Sequence, residues 1–158
     1  MPREQSGTTA GTQPSQGHMT RAEVVAFFDR RQHAYDNLEA AALAGDYADD
    51  CIVDSPTGGT HTSRTAVKKV LQDVFDAFLD MKTRTDSLVV DGNLVVQVLS
   101  IEGTNFGGLL GLPASGKPFS LAAVFLYEFK DRQIVREHRI YDFIGMLTQI
   151  GVLKTKPV

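Results

Sequence analysis

The chain has 158 residues, 42% of them hydrophobic and 22% charged, enough for one well-buried core and too few for two ordinary domains. A net charge of -3 with scattered Lys and Arg excludes a nucleic-acid footprint, and no apolar run approaches the length of a membrane span. The single cysteine, Cys51, cannot form an internal disulfide and has no basic neighbour in sequence, so it reads as a buried structural thiol in a reducing cytoplasm.

Residues 1–19 lack any apolar run and are rich in Gly, Ser, Thr, Gln and Pro, which predicts a disordered tail. Thr20 and Glu23 form a capping-box pattern, and apolar residues then recur at helical spacing, predicting one long helix over 20–44. Tyr35 lies near its middle as a core aromatic with its hydroxyl at a cavity rim, whereas His33, among Arg30, Arg31 and Asp36, reads as part of a solvated face. A strand over 51–55 stops at Pro56, residues 57–60 turn the chain, and a second helix begins near Thr62 or Ser63. That helix carries one apolar stripe of Val67, Val70, Leu71, Val74, Phe75 and Phe78.

A meander follows, with strands over 82–90 and 94–105 around the hairpin signal Asp91-Gly92. In the loop 106–117 three leucines sit among glycines, to pack down as a lid or to meet a second subunit. A phosphate cradle does not fit, because a strand rather than a helix comes next. Residues 119–129 read as a central apolar strand, and 133–141 as a strand with mixed faces. One parity of the latter holds Glu137, Arg139 and Tyr141; the other holds His138 and Ile140. Asp142 and a short helix close the domain, giving an α+β order of elements.

The runs GTNFGGLLGLPASGKPF and HRIYDFIGMLTQIG carry a resemblance. Over roughly residues 20–153 the chain resembles the SnoaL-like polyketide cyclase, or ester cyclase, group of the nuclear transport factor 2-like superfamily. The resemblance implies a cone-shaped curved antiparallel sheet wrapped around long helices, an α+β barrel with an internal apolar pocket, leaving residues 154–158 as a C-terminal tail. It also implies a small-molecule ligand and a homodimer through the convex sheet face, where His138, Ile140, Val124 and Leu126 belong.

Where those cyclases place an acid/base Asp on the last strand and a His on the preceding one, this chain has Arg139 and Phe125. Where ketosteroid isomerases place an Asp base before a proline, it has Ser55, with Asp54 on the opposite face. The candidate catalytic residues are therefore Arg139, Glu137, Tyr141 and Asp142. Candidate pocket residues are Tyr35, Ser55, Asn105, Phe125 and Tyr127. An Arg in an apolar cavity needs a carboxylate or an anionic ligand oxygen, and Glu137 stands two residues away on the same face. Two roles compete for Arg139: a structural ion pair with Glu137 or Asp142, or an enolate-binding group with Glu137 moving the proton. Asp142 is placed to cap the last helix, and His61 reads as a surface residue.

The four His and one Cys show no metal-ligand spacing, and no cofactor is called for. General acid/base chemistry on an apolar carbonyl compound is one functional class the pattern supports; a ligand-binding or accessory domain without turnover is the other.

Overall fold

Helix α1 (Arg21–Asp36) starts at Thr20, whose side chain accepts from the Glu23 N–H while Glu23 reaches back to the Thr20 N–H. The computed structural model describes residues 17–154 and 156, so most of the tail expected over 1–19 lies outside the described residues. Met19, expected to be the last residue of that tail, is partly buried against the core.

The single helix expected over 20–44 is broken in two. Leu38 takes a left-handed φ of 56°, the Glu39 N–H bonds Ala34 O at 2.8 Å and the Leu38 N–H bonds Tyr35 O at 3.0 Å. This is a Schellman termination with leucine where glycine is usual, so no glycine signals it; the strained φ costs about 1–2 kcal/mol. Leu38 packs against the core, which offsets that cost. A short helix α2 (Ala40–Ala44) leads into β1 (Tyr47–Ser55), which begins four residues earlier than expected.

Strand β2 (Gly59–His61), expected only as a turn, pairs back on β1, with Val53 opposite His61. Helix α3 (Arg64–Ala77) is capped by the Ser63 hydroxyl, which accepts from the Ala66 N–H at 3.1 Å. Its stripe of Val67, Val70, Leu71 and Phe75 is buried, each side chain worth about 1.5–3 kcal/mol of transfer free energy. Strands β3 (Lys82–Asp91), β4 (Leu94–Thr104), β5 (Pro118–Lys130) and β6 (Gln133–Tyr141) form the meander, and α4 (Phe143–Gln149) ends it. The β5–β6 turn places Asp131 and Arg132 at φ 49° and 64°, the paired positive values that a two-residue hairpin loop needs.

One open six-stranded sheet results, in the order β2-β1-β6-β5-β4-β3. The sheet expected to be antiparallel is mixed, because β1 runs parallel to β6, with Val53 opposite Glu137 and Asp54 opposite His138. Parallel neighbours need a long crossover, and everything from β2 to β5 supplies it. Register shifts at 85/87, 128/129 and 47/52 bend the strands around α1 and α3, which bury their apolar faces on the inner side. Among the described residues no helix is long and apolar enough to cross a membrane.

Candidate functional site

Between the inner sheet face and α3 lies a cavity of about 70 Å³, space for a few water molecules. Most of its wall is apolar: Phe75 and Phe78 of the α3 side, Leu99 and Ile101 of β4, Phe119 and Phe125 of β5. The polar part comes from Arg139 and Tyr141 of β6, Ser55 and Thr57 after β1, Thr83 of β3, and Tyr35 of α1.

Arg139 is held from two sides. Its Nε donates to Glu137 Oε1 at 2.6 Å and its Nη2 to Glu137 Oε2 at 3.3 Å, while its guanidinium carbon sits 5.0 Å from the centre of the Phe125 ring, its register partner on β5. Nη2 also reaches the Tyr47 hydroxyl at 3.4 Å. Nη1 makes no hydrogen bond among the described residues. Burial pulls the Arg139 pKa down, but Glu137 and the Tyr47 and Tyr35 hydroxyls more than reverse this, so the group stays charged.

Behind Arg139 runs a buried polar chain. The Tyr47 hydroxyl donates to Glu137 Oε2 and accepts from Arg31 Nη2 at 3.2 Å; Arg31 Nη1 in turn donates to Asp46 at 2.8 Å and to Leu43 O at 3.3 Å. Burial first, and the Glu137 charge second, raise the Tyr47 pKa far above the ordinary phenol value, so Tyr47 stays a donor. Arg31, expected on a solvated face, is 2% exposed, and its guanidinium lies 5.4–5.9 Å from the rings of Phe27, Tyr35, Tyr47 and Tyr127. The signal was there: Val24, Phe28, Arg31 and Tyr35 share one helical face. Tyr47 carried no such signal, because its role depends on the Glu137 side chain 90 residues away.

The remaining predicted residues divide. Tyr141 lines the cavity, its hydroxyl bonded to Thr57 Oγ1 and lying 3.3 Å from Ser55 Oγ. Tyr35 lines it too, and its hydroxyl has no partner among the described residues. Ser55 and Phe125 are also on the wall. Glu137 is fully buried with both oxygens engaged, and it does not line the cavity.

Asp142 lies outside the cavity: it accepts from the Gly145 N–H at 2.8 Å as the cap of α4, and a Cβ on Gly145 would fall 2.2 Å from its Oδ2. Asn105 is not on the wall either; its side chain ties down the loop after β4. Tyr127 is core, donating to Gln97 Oε1 at 2.9 Å. His61, expected at the surface, is half-buried against Gly58 and Val70, with Nε2 unpartnered. His33 and His138 are exposed, and Cys51 is fully buried. Among the described residues no three His, Cys, Asp or Glu side chains gather in a way that could hold a metal ion.

The sequence profile of the SnoaL-like polyketide cyclases matches residues 22–150. The chain belongs to this family. Solved structures share the family fold at low identity. TsrD of Streptomyces laurentii superposes with a TM-score of 0.76 at 22% identity, covering 85% of this chain and 99% of that one. A candidate polyketide cyclase of Xanthomonas campestris gives 0.74 at 21%, covering 83% and 98%. A Catenulispora acidiphila protein of ketosteroid isomerase-like fold gives 0.66 at 19%, covering 84% and 95%. No curated protein matches the chain in sequence. The SnoaL-like assignment accounts for the curved sheet that encloses the cavity.

Proposed function

We propose that the cavity is the active site of an enzyme acting by general acid/base chemistry on an apolar carbonyl compound, with Arg139 binding the oxygen on which negative charge develops. The observation that carries this is Arg139 on the wall of an apolar cavity, with its Nη1 unpartnered among the described residues while the rest of the guanidinium is pinned by Glu137 and stacked on Phe125. A pre-positioned cationic donor in dry surroundings is what stabilises an enolate or alkoxide. Tyr35, with its hydroxyl unpartnered, is the second donor of this reading, and Tyr141 offers a third within its Ser55–Thr57 network.

Glu137 takes a different part from the proton transfer expected of it. Its oxygens face Arg139 and Tyr47, so it orients Arg139, and a proton would pass through a tyrosine hydroxyl or a water admitted with the ligand. Among the described residues no carboxylate lines the cavity, and that favours the second reading, a ligand-binding domain without turnover. One experiment serves both readings. Arg139→Met keeps length and removes the charge; with the fold intact, affinity for or turnover of an apolar ketone should fall at least tenfold, in line with about 1.5–3 kcal/mol for a charge-assisted contact. Turnover with a pH–rate profile supports the enzyme; saturable binding without product supports the binding domain. Unchanged affinity and rate would leave Arg139 as a structural ion pair only.

We also infer a homodimer through the outer sheet face. There Val96 stands opposite Leu126, and Val98, Val124 and Ile140 stand opposite one another across three strands, with Leu126 39% and Ile140 51% exposed. A contiguous apolar band of this kind is costly to leave wet. Sedimentation should show a dimer at micromolar concentration and a monomer for Leu126→Lys; a wild-type monomer would refute the inference.

A further inference from the structure

Four charged side chains are withdrawn from water behind the cavity wall. Arg139 and Glu137 are 11% and 0% exposed, Arg31 and Asp46 2% and 10%, and each pair is in direct contact at 2.6 Å and 2.8 Å respectively. Tyr47 joins the pairs through its hydroxyl, bonded to Glu137, Arg31 and Arg139 at once. Within this buried set two cations and two carboxylates cancel; Arg30, which also meets Asp46 at 2.5 Å, is half exposed and screened by solvent. Arg139, its Nη1 unpartnered, is therefore the cavity side of a buried assembly without net charge, and among the described residues no other Arg or Lys lines the cavity.

This balance separates two ligands of the same shape. A carboxylate set against Nη1 would carry one uncompensated negative charge into an apolar enclosure, which is strongly disfavoured, whereas an enolate formed there leaves its proton within the same enclosure and does not change the net charge. A neutral carbonyl oxygen accepts the same hydrogen bond and leaves the balance unchanged. We propose that Glu137 sets the charge class of the ligand: with it in place, the cavity selects a neutral carbonyl acceptor and rejects the carboxylate of equal size. This rests on the reading of Arg139 as the ligand-binding group. Glu137 acts on the ligand only through Arg139, as a specificity-determining residue behind the wall.

Met81 and Met146 line the cavity and supply the readout. With the methionine methyls labelled with carbon-13, the full chain is titrated by NMR with acetophenone, benzamide and benzoate at neutral pH. Acetophenone and benzamide should shift both methyls, and benzoate should bind at least tenfold more weakly than benzamide. Glu137→Gln keeps the shape and a hydrogen-bonding oxygen but leaves one cation unbalanced, so benzoate should gain at least tenfold relative to benzamide. Benzoate binding the wild type as tightly as benzamide would overturn the proposal, as would a folded Glu137→Gln with an unchanged preference. Should Glu137→Gln fail to fold, the wild-type comparison of benzamide with benzoate still decides. If none of the three probes shifts the methyls, the cavity is not a ligand site and the underlying reading fails with it. If acetophenone binds equally to wild type and Arg139→Met, the cavity is real but Arg139 does not hold the ligand.

Discussion

Two regions enclose the cavity, the β1–β6 wall on one side and the loop 105–117 on the other, and they are held by opposite means. The wall is a network of ionised and phenolic side chains drawn from α1, β1 and β6, in which most members have several partners. The loop is held at one residue. Asn105 donates to Pro113 O at 3.0 Å and Ser115 Oγ at 3.2 Å, accepts from the Gly108 N–H at 3.1 Å, and bonds Lys117 O through its own N–H at 3.0 Å. The loop then hangs on the end of α3, where the N–H groups of Phe106 and Gly107 both reach Ala77 O at 3.0 Å. Gly107 is obligatory there, since a Cβ would lie 2.2 Å from Asp76 O. Leu109 is thereby pressed into the cavity roof, while Leu110 and Phe106 stay exposed. Of the two uses expected for the leucines, packing down accounts for Leu109. The difference predicts that the roof opens more readily than the wall, since its hold is concentrated at few residues.

The largest expected effect comes from breaking the wall at its far end. Arg31→Met preserves bulk among the four rings but removes one buried donor from each of Asp46, Leu43 O and the Tyr47 hydroxyl. Loss of one partner from a buried ion pair costs about 3–5 kcal/mol, and the lower end is expected because Arg30 still holds Asp46 at 2.5 Å. Urea denaturation measures it; a loss below about 1 kcal/mol would mean that the network is not the main support of the wall.

Asn105→Ala tests the roof and should cost less, about 2–3 kcal/mol for three side-chain hydrogen bonds at a fully buried position. The contrast lies in where the loss is felt. Amide exchange should quicken across 105–117 while the amides of β6 remain protected, because the roof opens as a local unit. Uniform loss of protection in both regions would show that roof and wall are one cooperative structure, and the comparison drawn above would collapse.

How far these regions could be read from the sequence follows the range of their contacts. The Thr20–Glu23 capping box, the Asp142 cap, the Asp91-Gly92 hairpin and the parity that puts Glu137 beside Arg139 are local patterns, and each is found where the spacing placed it. The Leu38 break is local too, but its residue type hides it: leucine adopts the glycine conformation only because the core packs against it. The parallel β1–β6 pairing and the Glu137 bond of Tyr47 join segments far apart in the chain, and a single sequence carries no record of which distant strand will be a neighbour. Asn105 illustrates the intermediate case. Its position beside the pocket-forming loop was legible, but its task is to hold the loop's backbone, and only the loop's path shows that.

The smallest effect sharpens the comparison at the roof's foundation. Asp80, in the turn between α3 and β3, accepts from the Thr104 N–H and the Thr104 hydroxyl, both at 2.7 Å, and so fixes the residue just before Asn105. The Thr104 hydroxyl bond holds the Asp80 carboxyl below its ordinary pKa; burial opposes it, and the Thr104 backbone N–H adds to the lowering. A depressed folded-state pKa contributes stability that is present above the unfolded value, near 3.8, and is lost as pH falls through the folded one. Because Asp80 is exposed, Asp80→Asn should cost only about 0.5–1 kcal/mol at neutral pH. The gap between variant and wild type should close as the pH is lowered below about 4, where the wild-type carboxyl itself takes up a proton. Urea melts at pH 7 and at successive steps toward pH 3 follow this directly. A gap that stays constant over the whole range would mean that Asp80 supports the base of the roof by shape rather than by charge.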